Sequence, residues 1–525
     1  MENKPQWLDA MLDPSFYPGG PDDVKLIQTH LSWVFLAGQL VYKIKKPVNF
    51  GFLDFTTLEK RHFFCNEEIR LNKRLCPEIY KGTVPINKQE DGGFCLGGPG
   101  ETVEWAVEMK RMPDDGLMSV LIERDEVTET DILGIERLLV PFYEKAVAPR
   151  DKVYLGGIDT VRENCEENFE QIREFVGRAL SEQVNNQIIS YTRDFMATNE
   201  SLFVKRQEEG RIVEGHGDLY SANICFDRQR DRIYIFDCIE FNERFRYGDV
   251  AVDIAFLAMD LDFLGLCDLD HLFTQEFRED TKDDQIHLLL DFYKCYRAVV
   301  RGKIGCFTWA SPGVDQATKE KSLEHAKRYF QLAYRYAGGI TQRPTLFVFM
   351  GLSGTGKSTV ATAFGAQKGL SVYNSDFVRK EIISGIKATE SRKEPFGQGI
   401  YSKDSTDRTY RALARLAGKK LVVGESVVLD ATYIDPDKRR HLKKVADASG
   451  ARLVFIVCFC PEEVVKKRLA KRDREAKKVS DGRLEIYEKQ KEIYEEPRES
   501  EADSIIRLDT NGPVDELVSR LKDLI

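Results

Sequence analysis

The sequence predicts two successive domains, the first of mixed α+β structure and the second of α/β structure with a parallel sheet wrapped by helices. Three observations lead to this prediction. The 525 residues exceed what one ordinary hydrophobic core holds. A hairpin pattern at 28–47 and a helical pattern at 57–75 precede mostly helical sequence. Near residue 345 an apolar strand leads into a glycine loop and a helix start, which is typical of a parallel sheet.

The composition is that of a soluble globular protein, with 42% hydrophobic and 31% charged residues. No apolar run approaches the roughly 18 residues that a membrane helix needs, and the N-terminus lacks a secretory-signal pattern. The 11 cysteines are scattered without C-x-x-C pairs. We therefore expect a cytoplasmic protein without a membrane partner, and the oligomeric state stays open.

Charge is divided unevenly along the chain. The net charge is −9, yet from Arg343 onward 35 basic residues stand against 28 acidic ones. Such asymmetry favours two domains with different partners. The segment 338–344, GGITQRP, is rich in residues that break regular structure. We predict a boundary there, between a domain at 1–337 and a domain at 345–525.

Residues 346–358 show a strand pattern, a glycine loop and the start of a helix. The run Leu346–Met350 is followed by GLSGTGKS, which matches G-x-x-x-x-G-K-[ST] in its expected context. Glycines let backbone N–H groups curl around a polyphosphate. The segment therefore predicts a site for ATP or another nucleoside triphosphate. The expected nucleotide-binding residues are Gly351, Ser353, Gly354, Thr355, Gly356, Lys357, Ser358 and Thr359.

Two of these residues and one later acid have separate expected roles. The Lys357 ammonium would reach the β- and γ-phosphates, and the Ser358 hydroxyl would hold Mg²⁺. The strand pattern Val427–Leu429 ends at Asp430. An acid at a strand end of this sheet could order the same Mg²⁺ and its water.

An acid and an arginine follow another predicted strand of the second domain. The strand at 370–373 leads into Asn374-Ser375-Asp376, and Arg379 lies one helical turn after Asp376. Asp376 could accept a proton from a substrate hydroxyl, and Arg379 could clamp a phosphate of the acceptor. A helix cap followed by a surface arginine is the structural alternative.

An arginine-rich run at 466–483 follows the apolar strand pattern Leu453–Cys460. Arg468, Arg472 and Arg474 are spaced densely enough for a lid that closes on the transferring phosphates. The alternative is a charged helix face in contact with water. We expect Arg472 to take part in catalysis together with Lys357, Asp376 and Arg379.

The first domain carries polar residues on a loop and at the end of a hairpin. Asp218 and Asn223 stand in a D-x-x-x-x-N arrangement, and Asp237 ends the returning strand. Folding this hairpin brings the three residues to one end of it. An acid that orients a hydroxyl, with Asn and Asp that hold Mg²⁺, is what phosphoryl transfer requires.

The set His216-Gly217-Asp218, Asn223 and Asp237 resembles the aminoglycoside phosphotransferase family, relatives of the protein kinases. The resemblance implies a two-lobed, protein-kinase-like domain. It also implies that Asp218 is catalytic and that Asn223 and Asp237 hold metal.

Further roles follow from the same resemblance. It implies a strand lysine paired with a helix glutamate, best matched by Lys43 and Glu67. Lys45 lies on the same strand face, and Glu68 is the neighbour of Glu67, so each remains an alternative. The sequence departs from the kinase pattern because no G-x-G-x-x-G precedes Lys43. Two acids of the GDVAVDIA run, Asp249 and Asp253, look like residues that buttress the loop.

Residues 345–525 resemble the small P-loop kinases, on the strength of GLSGTGKST, SDFVR and LDAT. Polynucleotide 5′-hydroxyl kinases are the most similar, followed by gluconate-type and zeta-toxin-like kinases. This resemblance implies Asp376 as general base, Arg379 as acceptor-phosphate clamp and the arginines of 468–474 as lid. The fused arrangement looks like bacterial proteins that join an aminoglycoside-phosphotransferase-like domain to an ATP-binding domain.

The leading hypothesis is a bifunctional ATP- and Mg²⁺-dependent phosphotransferase with two nucleotide sites. Its acceptors would be hydroxyl-bearing small molecules or nucleic-acid ends. A second hypothesis is a nucleotide-gated regulator in which the first domain is a non-catalytic sensor. In a third, the P-loop domain is a nucleic-acid end kinase and the first domain recruits the substrate.

Overall fold

The structure is a computed structural model that describes residues 5–387, 398–472 and 483–524. Within those ranges no helix is both long enough and apolar enough to cross a membrane. The chain forms 2 larger sheets, one antiparallel and one parallel, each covered by helices. The mixed α/β class, with an antiparallel sheet and many helices in the first part and a parallel sheet in the second, is confirmed.

The first part begins with a six-stranded antiparallel sheet in the order β1-β2-β3-β6-β4-β5. The hairpin predicted at 28–47 is present as β2 and β3, in which Ala37 pairs with Leu40 across a two-residue turn. The strands are β1 (Val24–Gln28), β2 (Ser32–Ala37), β3 (Leu40–Lys45), β4 (Tyr80–Lys88), β5 (Phe94–Leu96) and β6 (Glu101–Lys110).

Helix α2 (Leu58–Asn72) packs on this sheet, where the sequence predicts a helix. It follows the short N-terminal helix α1 (Gln6–Ala10). Its N-cap is Thr57, whose hydroxyl accepts a hydrogen bond from the Lys60 N–H at 3.2 Å. The face that packs against β4 and β6 carries Cys65, Glu68 and Leu71. A glutamate is therefore buried between helix and sheet.

The remainder of the first part is mostly helical, as the sequence after the pattern at 57–75 predicts. Two short antiparallel pairs, β8-β9 and β10-β7, lie among its helices. The helices are α3 (Met118–Glu123), α4 (Glu129–Lys145), α5 (Ile158–Ile172), α6 (Glu182–Thr198), α7 (Glu200–Glu208), α8 (Glu243–Arg246), α9 (Val250–Leu264), α10 (Cys267–Thr281), α11 (Ile286–Ala310) and α12 (Gln316–Tyr336), and the strands are β7 (Ile212–Glu214), β8 (Ile224–Asp227), β9 (Arg232–Ile235) and β10 (Tyr247–Asp249).

The second part is a five-stranded parallel sheet in the order β12-β13-β11-β14-β15, with hydrophobic side chains packed on both faces. The strands are β11 (Thr345–Met350), β12 (Ser371–Asn374), β13 (Val427–Asp430), β14 (Arg452–Phe459) and β15 (Ser504–Asp509). The helices are α13 (Lys357–Lys368), α14 (Ser375–Phe377), α15 (Lys403–Leu421), α16 (Pro436–Ala448), α17 (Glu462–Arg472), α18 (Leu484–Ile493) and α19 (Val514–Leu524).

The two parts meet where the end of α9 lies against α15. Gly265 caps α9 with φ +84°, and a Cβ built on Gly418 of α15 would lie 2.2 Å from the Gly265 carbonyl oxygen. Beside this contact Arg415 donates two hydrogen bonds to the Asp125 carboxylate, at 2.6 and 3.1 Å. Both members of this pair are buried. The division at residues 338–344 stays a prediction, although α12 ends at Tyr336 and β11 begins at Thr345.

Replacing Gly418 by alanine tests the backbone contact between the two parts. The new Cβ has no room beside Gly265, so α15 must move away from α9. We expect a loss of about 1–3 kcal/mol in the free energy of unfolding, measured by urea denaturation. The matched control is Gly512→Ala, because a Cβ at Gly512 meets nothing within 4 Å. Equal stability of the two variants would contradict the contact.

Candidate active sites

A cluster of buried charges lies between the antiparallel sheet and α2. Lys43 Nζ lies 2.9 Å from Glu68 Oε1 and 2.6 Å from Asp237 Oδ1. Lys45 Nζ lies 2.7 Å from the other oxygen of Glu68 and also pairs with Glu240. The two lysines point to the same side because they are two residues apart on β3. One glutamate thus orients both lysines.

The prediction that Glu67 pairs with the strand lysine is wrong. The side chain of Glu67 points away from the sheet and pairs with Arg70 at 2.9 Å. Glu68, which the sequence left as the alternative, takes the place beside the lysines. Successive helix residues are turned by about 100°, so only one of the two glutamates can face the sheet.

The choice between the two lysines is settled by their surroundings. Lys43 reaches Asp237 and keeps 17% of its side chain exposed, whereas Lys45 is 1% exposed. Burial alone would lower the pKa of Lys43, but Asp237 and Glu68 outweigh it and raise that pKa. Lys43 is therefore the more exposed of the two lysines and the one that pairs with Asp237, whereas the buried Lys45 pairs with Glu68 and Glu240.

Asp237 has an unusual backbone conformation for a residue other than glycine, with φ +64°. It directly follows Phe236, whose carbonyl oxygen accepts a hydrogen bond from His216 Nε2 at 3.0 Å. Burial would raise the pKa of Asp237, yet Lys43 lowers it below its usual value. Asp237 therefore carries a negative charge next to Lys43, with 46% of its side chain exposed.

Helix α9 supports the loop that carries Asp218. Asp253 accepts hydrogen bonds from the backbone N–H groups of His216, at 2.6 Å, and Gly217, at 2.9 Å. The Asp218 N–H donates to His216 Nδ1 at 3.3 Å. Burial lowers the pKa of His216 to about 4, so its imidazole is neutral and can accept this bond. Asp253 supports the loop as predicted.

Asp218 and Asn223 lie together, as the sequence predicts. Asn223 Nδ2 donates to the Asp218 backbone oxygen at 3.0 Å and to its Oδ2 at 3.1 Å. Burial raises the pKa of Asp218 to about 6, although the nearby Arg301 acts in the opposite direction. At neutral pH the carboxylate is mainly deprotonated and can accept a proton.

Asn223 and Asp237 suit a divalent cation. The Asn223 amide nitrogen faces Asp218, so its oxygen is the atom left for another ligand. Asp237 uses one carboxylate oxygen for Lys43, which leaves the second. Oxygen donors of this kind are those that Mg²⁺ prefers. Among the described residues there is no group of 3 or more His, Cys, Asp or Glu that could hold a metal ion by themselves. Metal binding by Asn223 and Asp237 stays a prediction.

The glycine loop has the conformation that a phosphate cradle needs. Gly351 has φ +136°, and a Cβ there would lie 2.3 Å from the Cys458 carbonyl oxygen. Gly356 is the N-cap of α13, which begins at Lys357. The helix N-terminus therefore opens into the loop. Within the described ranges, the Lys357 ammonium makes no ion pair.

The predicted partner of Ser358 in metal binding, Asp430, is buried at the end of β13. Asn374 Nδ2 donates to Asp430 Oδ2, whereas Oδ1 is buried and accepts no hydrogen bond from the described residues. Burial raises the pKa of Asp430, against the influence of Lys357 and Ser358. A buried carboxylate oxygen without a partner is costly, and a cation bound here would satisfy it. The site fits Mg²⁺.

Asp376 and Arg379 do not lie on one regular helix. Asp376 belongs to the short α14, and Arg379 lies in a π-helical turn, Val378–Ile383. Arg379 is 6% exposed and donates to the Ile400 carbonyl oxygen at 3.1 Å and to Thr406 Oγ1 at 3.0 Å. It therefore supports the segment before α15. Its Nε is buried without a partner in the described chain, and its role as a clamp stays a prediction.

Part of the predicted lid lies beside the glycine loop. Arg468 of α17 donates to the Thr510 carbonyl oxygen at 2.9 Å, and its Nη1 would lie 3.0 Å from a Cβ on Gly356. Arg472 is the last residue of α17. Its side chain and all of Arg474 lie outside the described residues.

Sequence reasoning missed several residues at these sites. Gln490 of α18 accepts a hydrogen bond from the Ser353 N–H at 2.9 Å, and Glu240 pairs with Lys45. Arg297 and Arg301 of α11 favour the charged form of Asp218 and so oppose the rise in its pKa. Each is far from its partner in sequence and carries no local motif. The spacing of Arg297 and Arg301, one helical turn apart, was the single available signal.

Comparison with protein families gives a match to the AAA domain family over residues 346–497. Uncharacterized proteins of Mycobacterium tuberculosis (strain ATCC 25618 / H37Rv) and Mycobacterium bovis are each 31% identical to this chain over 487 residues. The alignments cover 93% of this chain and 92% of each relative. The chain belongs to the same protein family as these mycobacterial proteins.

Several solved structures that are similar to this chain are kinases or phosphotransferases. A sugar kinase from Janibacter sp. HTCC2649 is 24% identical over 35% of this chain and 94% of its own, with a TM-score of 0.28. The GDP complex of aminoglycoside 2′-phosphotransferase-IIIa is 15% identical over 62% of this chain and 97% of its own, with a TM-score of 0.36. The Mycobacterium tuberculosis APS kinase CysC, in complex with AMPPNP and APS, is 22% identical over 35% of this chain and 97% of its own, with a TM-score of 0.25.

The pairing of Glu68 with both lysines leads to a test with a neighbouring control. In Glu68→Gln the two lysines lose their shared counter-charge, so Lys43 is no longer held at the cleft. In a Lys357→Ala background, which silences the P-loop site, we expect ATP to bind at least tenfold more weakly, about 1.4 kcal/mol. The control Glu67→Gln removes only the pair with Arg70 and should bind ATP normally.

Isothermal titration calorimetry measures this affinity, and a melting curve separates weaker binding from unfolding. An equal loss of affinity in the Glu67 and Glu68 variants would contradict the assignment.

Proposed function

We propose that this chain is a bifunctional ATP- and Mg²⁺-dependent phosphotransferase with one nucleotide site in each part. The observation that carries the proposal is the position of Lys43 between Glu68 and Asp237, together with the influence of Asp237 on the pKa of Asp218. A lysine, a metal-binding acid and a base are the groups that phosphoryl transfer requires. The glycine loop at Lys357 supports the second site.

In the first part, Asp218 would be the base. Its pKa of about 6 leaves it ready to take a proton from an acceptor hydroxyl at neutral pH. Lys43 would bind the nucleotide phosphates, and Lys45 with Glu240 would keep Glu68 in place. Asn223 and Asp237 would hold Mg²⁺ here, and the cation would supply positive charge that neutralises the phosphates.

In the second part, backbone N–H groups of 351–359 and the N-terminus of α13 would bind the polyphosphate. Lys357 would neutralise the β- and γ-phosphates, Ser358 and Asp430 would hold Mg²⁺, and Asp376 would accept the proton of the acceptor. Arg468 and Arg472 would close over the phosphates. The acceptor is a hydroxyl-bearing molecule, either small or a nucleic-acid end.

Phosphate transfer from γ-labelled ATP tests the proposal. Wild type is compared with Lys357→Ala and Asp218→Asn on a panel of 5′-hydroxyl oligonucleotides, nucleotide sugars, simple sugars and aminoglycosides. We expect each variant to lose labelling of a different acceptor by at least 100-fold, because each change removes a group that acts on the reacting atoms. The Asp218-dependent labelling should also fall about tenfold per pH unit below pH 6, since Asp218 becomes protonated.

Three results would go against this proposal. Loss of all labelling in Lys357→Ala alone would make the first part a recruiting module or a sensor. Binding of ATP without any labelling by wild type would favour the nucleotide-gated regulator. Labelling at the first site that is unchanged by Asp218→Asn would exclude Asp218 as its base.

A further inference from the structure

Three basic side chains, Arg301, Arg328 and Lys419, form a group that we call the cation cluster. They come from three helices, α11, α12 and α15. Two stacked aromatic rings support the arginines: Tyr329 lies on Phe263 with ring centroids 3.7 Å apart. Arg301 lies 5.8 Å from the Tyr329 ring, and Arg328 lies 4.4 Å from the Phe263 ring. The cations therefore flank one aromatic stack.

Among the described residues, no member of the cation cluster forms an ion pair. Of the nearby acids, Asp125 pairs with Arg415 and Glu425 with Lys420, whereas Asp218 and Asp260 favour the charged form of Arg301. Arg301 Nε is buried and has no hydrogen-bond partner in the described chain. All three side chains are partly buried. Partly buried cations without an ion pair are suited to an anionic ligand.

Burial and neighbouring positive charges lower the pKa of Lys419 and of His325. Burial would lower the pKa of Arg301, but Tyr329, Tyr220, Asp218 and Asp260 outweigh it and raise that pKa. Burial, together with Arg415 and Arg328, lowers the pKa of Lys419 to about 8. Burial also lowers the pKa of Arg328. The neighbouring imidazole of His325 has a lowered pKa, caused by burial and by four cations, among them Arg328 and Lys419. An anion placed among these groups would relieve the repulsion.

The cation cluster begins next to the proposed base of the first site. Arg301 lies 4.6 Å from the ring of Tyr220, which is two residues after Asp218 on the same loop. Arg301 also acts on the charge of Asp218, as does Arg297, one turn earlier on α11. Arg297 is less available, because its Nε donates to the Val252 carbonyl oxygen and it lies near Asp253. An anion held by Arg301 would therefore lie close to Asp218.

Lys419 reaches the cation cluster from the second part of the chain. Its aliphatic stem crosses Gly265, where a Cβ would lie 2.8 Å from Lys419 Cγ. The contact between Gly265 and Gly418 sets this approach. The cluster is therefore incomplete without the second part.

We propose that the cation cluster binds the anionic group of the acceptor, so that the first site acts on an alcohol that already carries a phosphate or a similar dense negative charge. This inference rests on the proposed function of the first site and names its substrate class. A polycationic acceptor is disfavoured here, because it would meet like charges beside Asp218. Because Lys419 comes from the second part of the chain, acceptor binding requires both parts.

Anion binding is tested on the full chain with both nucleotide sites filled by a non-hydrolysable ATP analogue. Inorganic phosphate is the probe, and calorimetry is the readout. We expect the double variant Arg328→Gln, Lys419→Gln to bind phosphate at least tenfold more weakly than wild type. The matched control is Lys327→Gln, Lys443→Gln, which also removes two positive charges from helices, α12 and α16. Those lysines pair with Glu324 and Asp447, so the control should bind normally.

Equal phosphate affinity in the two double variants would overturn the proposal. A melting curve for each variant shows whether the fold is retained. If the cluster variant unfolds, Arg328→Lys provides a second test. This variant keeps the positive charge and still contains Lys419, so it should bind phosphate as wild type does.

The acceptor class is tested by transfer from γ-labelled ATP to glycerol 3-phosphate, glycerol and an aminoglycoside, with Asp218→Asn as reference. Asp218-dependent labelling of glycerol 3-phosphate above glycerol supports the proposal. Asp218-dependent labelling of the aminoglycoside instead would overturn the proposed acceptor class, although it would still support phosphate transfer by the first site. Phosphate binding at the cluster without any Asp218-dependent labelling would support the anion site and count against the proposed activity.

Discussion

The backbone contact between Gly265 and Gly418 is the constraint on which both candidate sites depend. Gly265 ends α9, and near the start of that helix Asp253 holds the loop that carries Asp218. Gly418 lies in α15, whose Tyr410 hydroxyl is 2.9 Å from Thr432 Oγ1, just beyond β13. A side chain at either glycine would separate the helices. The geometry of the two candidate sites is therefore linked through one helix crossing, which also brings Lys419 towards the first candidate site.

Pairing of buried charges distinguishes the structural groups from those available to a ligand. Asp125 and Arg415 satisfy each other, as do Lys45 and Glu240 with Glu68. Such networks are stable because each member has its partner within the protein. Three exceptions lie at the candidate sites: Lys357 without an ion pair in the described ranges, one oxygen of Asp430, and the cation cluster with Arg301 Nε. Other buried atoms without a hydrogen-bond partner, such as Glu136 Oε1 and Asp270 Oδ1, lie elsewhere in the fold. Each exception at a candidate site has the sign that the proposed ligand requires, since phosphate is attracted to the cations and a metal ion to the carboxylate.

The extent to which the sites could be predicted depended on how local their geometry is. The glycine loop before Lys357 is fixed by its own residues, and the Asp218–Asn223 pair by a short hairpin, so sequence sufficed. The preference for Glu67 over Glu68 was wrong. Neighbouring residues of a helix point in directions about 100° apart, and the short sequence pattern did not determine which of the two faces the sheet. Arg379 was expected on a regular helix, but a π-helical turn redirects it. The cation cluster joins three helices, and no single stretch of sequence encodes it.

The central claim is that one chain holds two nucleotide sites, each with its own phosphate-binding lysine, Lys43 and Lys357. Equilibrium dialysis of the full chain against a labelled, non-hydrolysable ATP analogue, with Mg²⁺ present, measures the number of sites directly. We expect two bound nucleotides per chain at saturation. In Lys357→Ala we expect one, because the P-loop site is lost. A single nucleotide per chain that disappears in Lys357→Ala would contradict the claim, because the cluster around Lys43 would then bind no nucleotide.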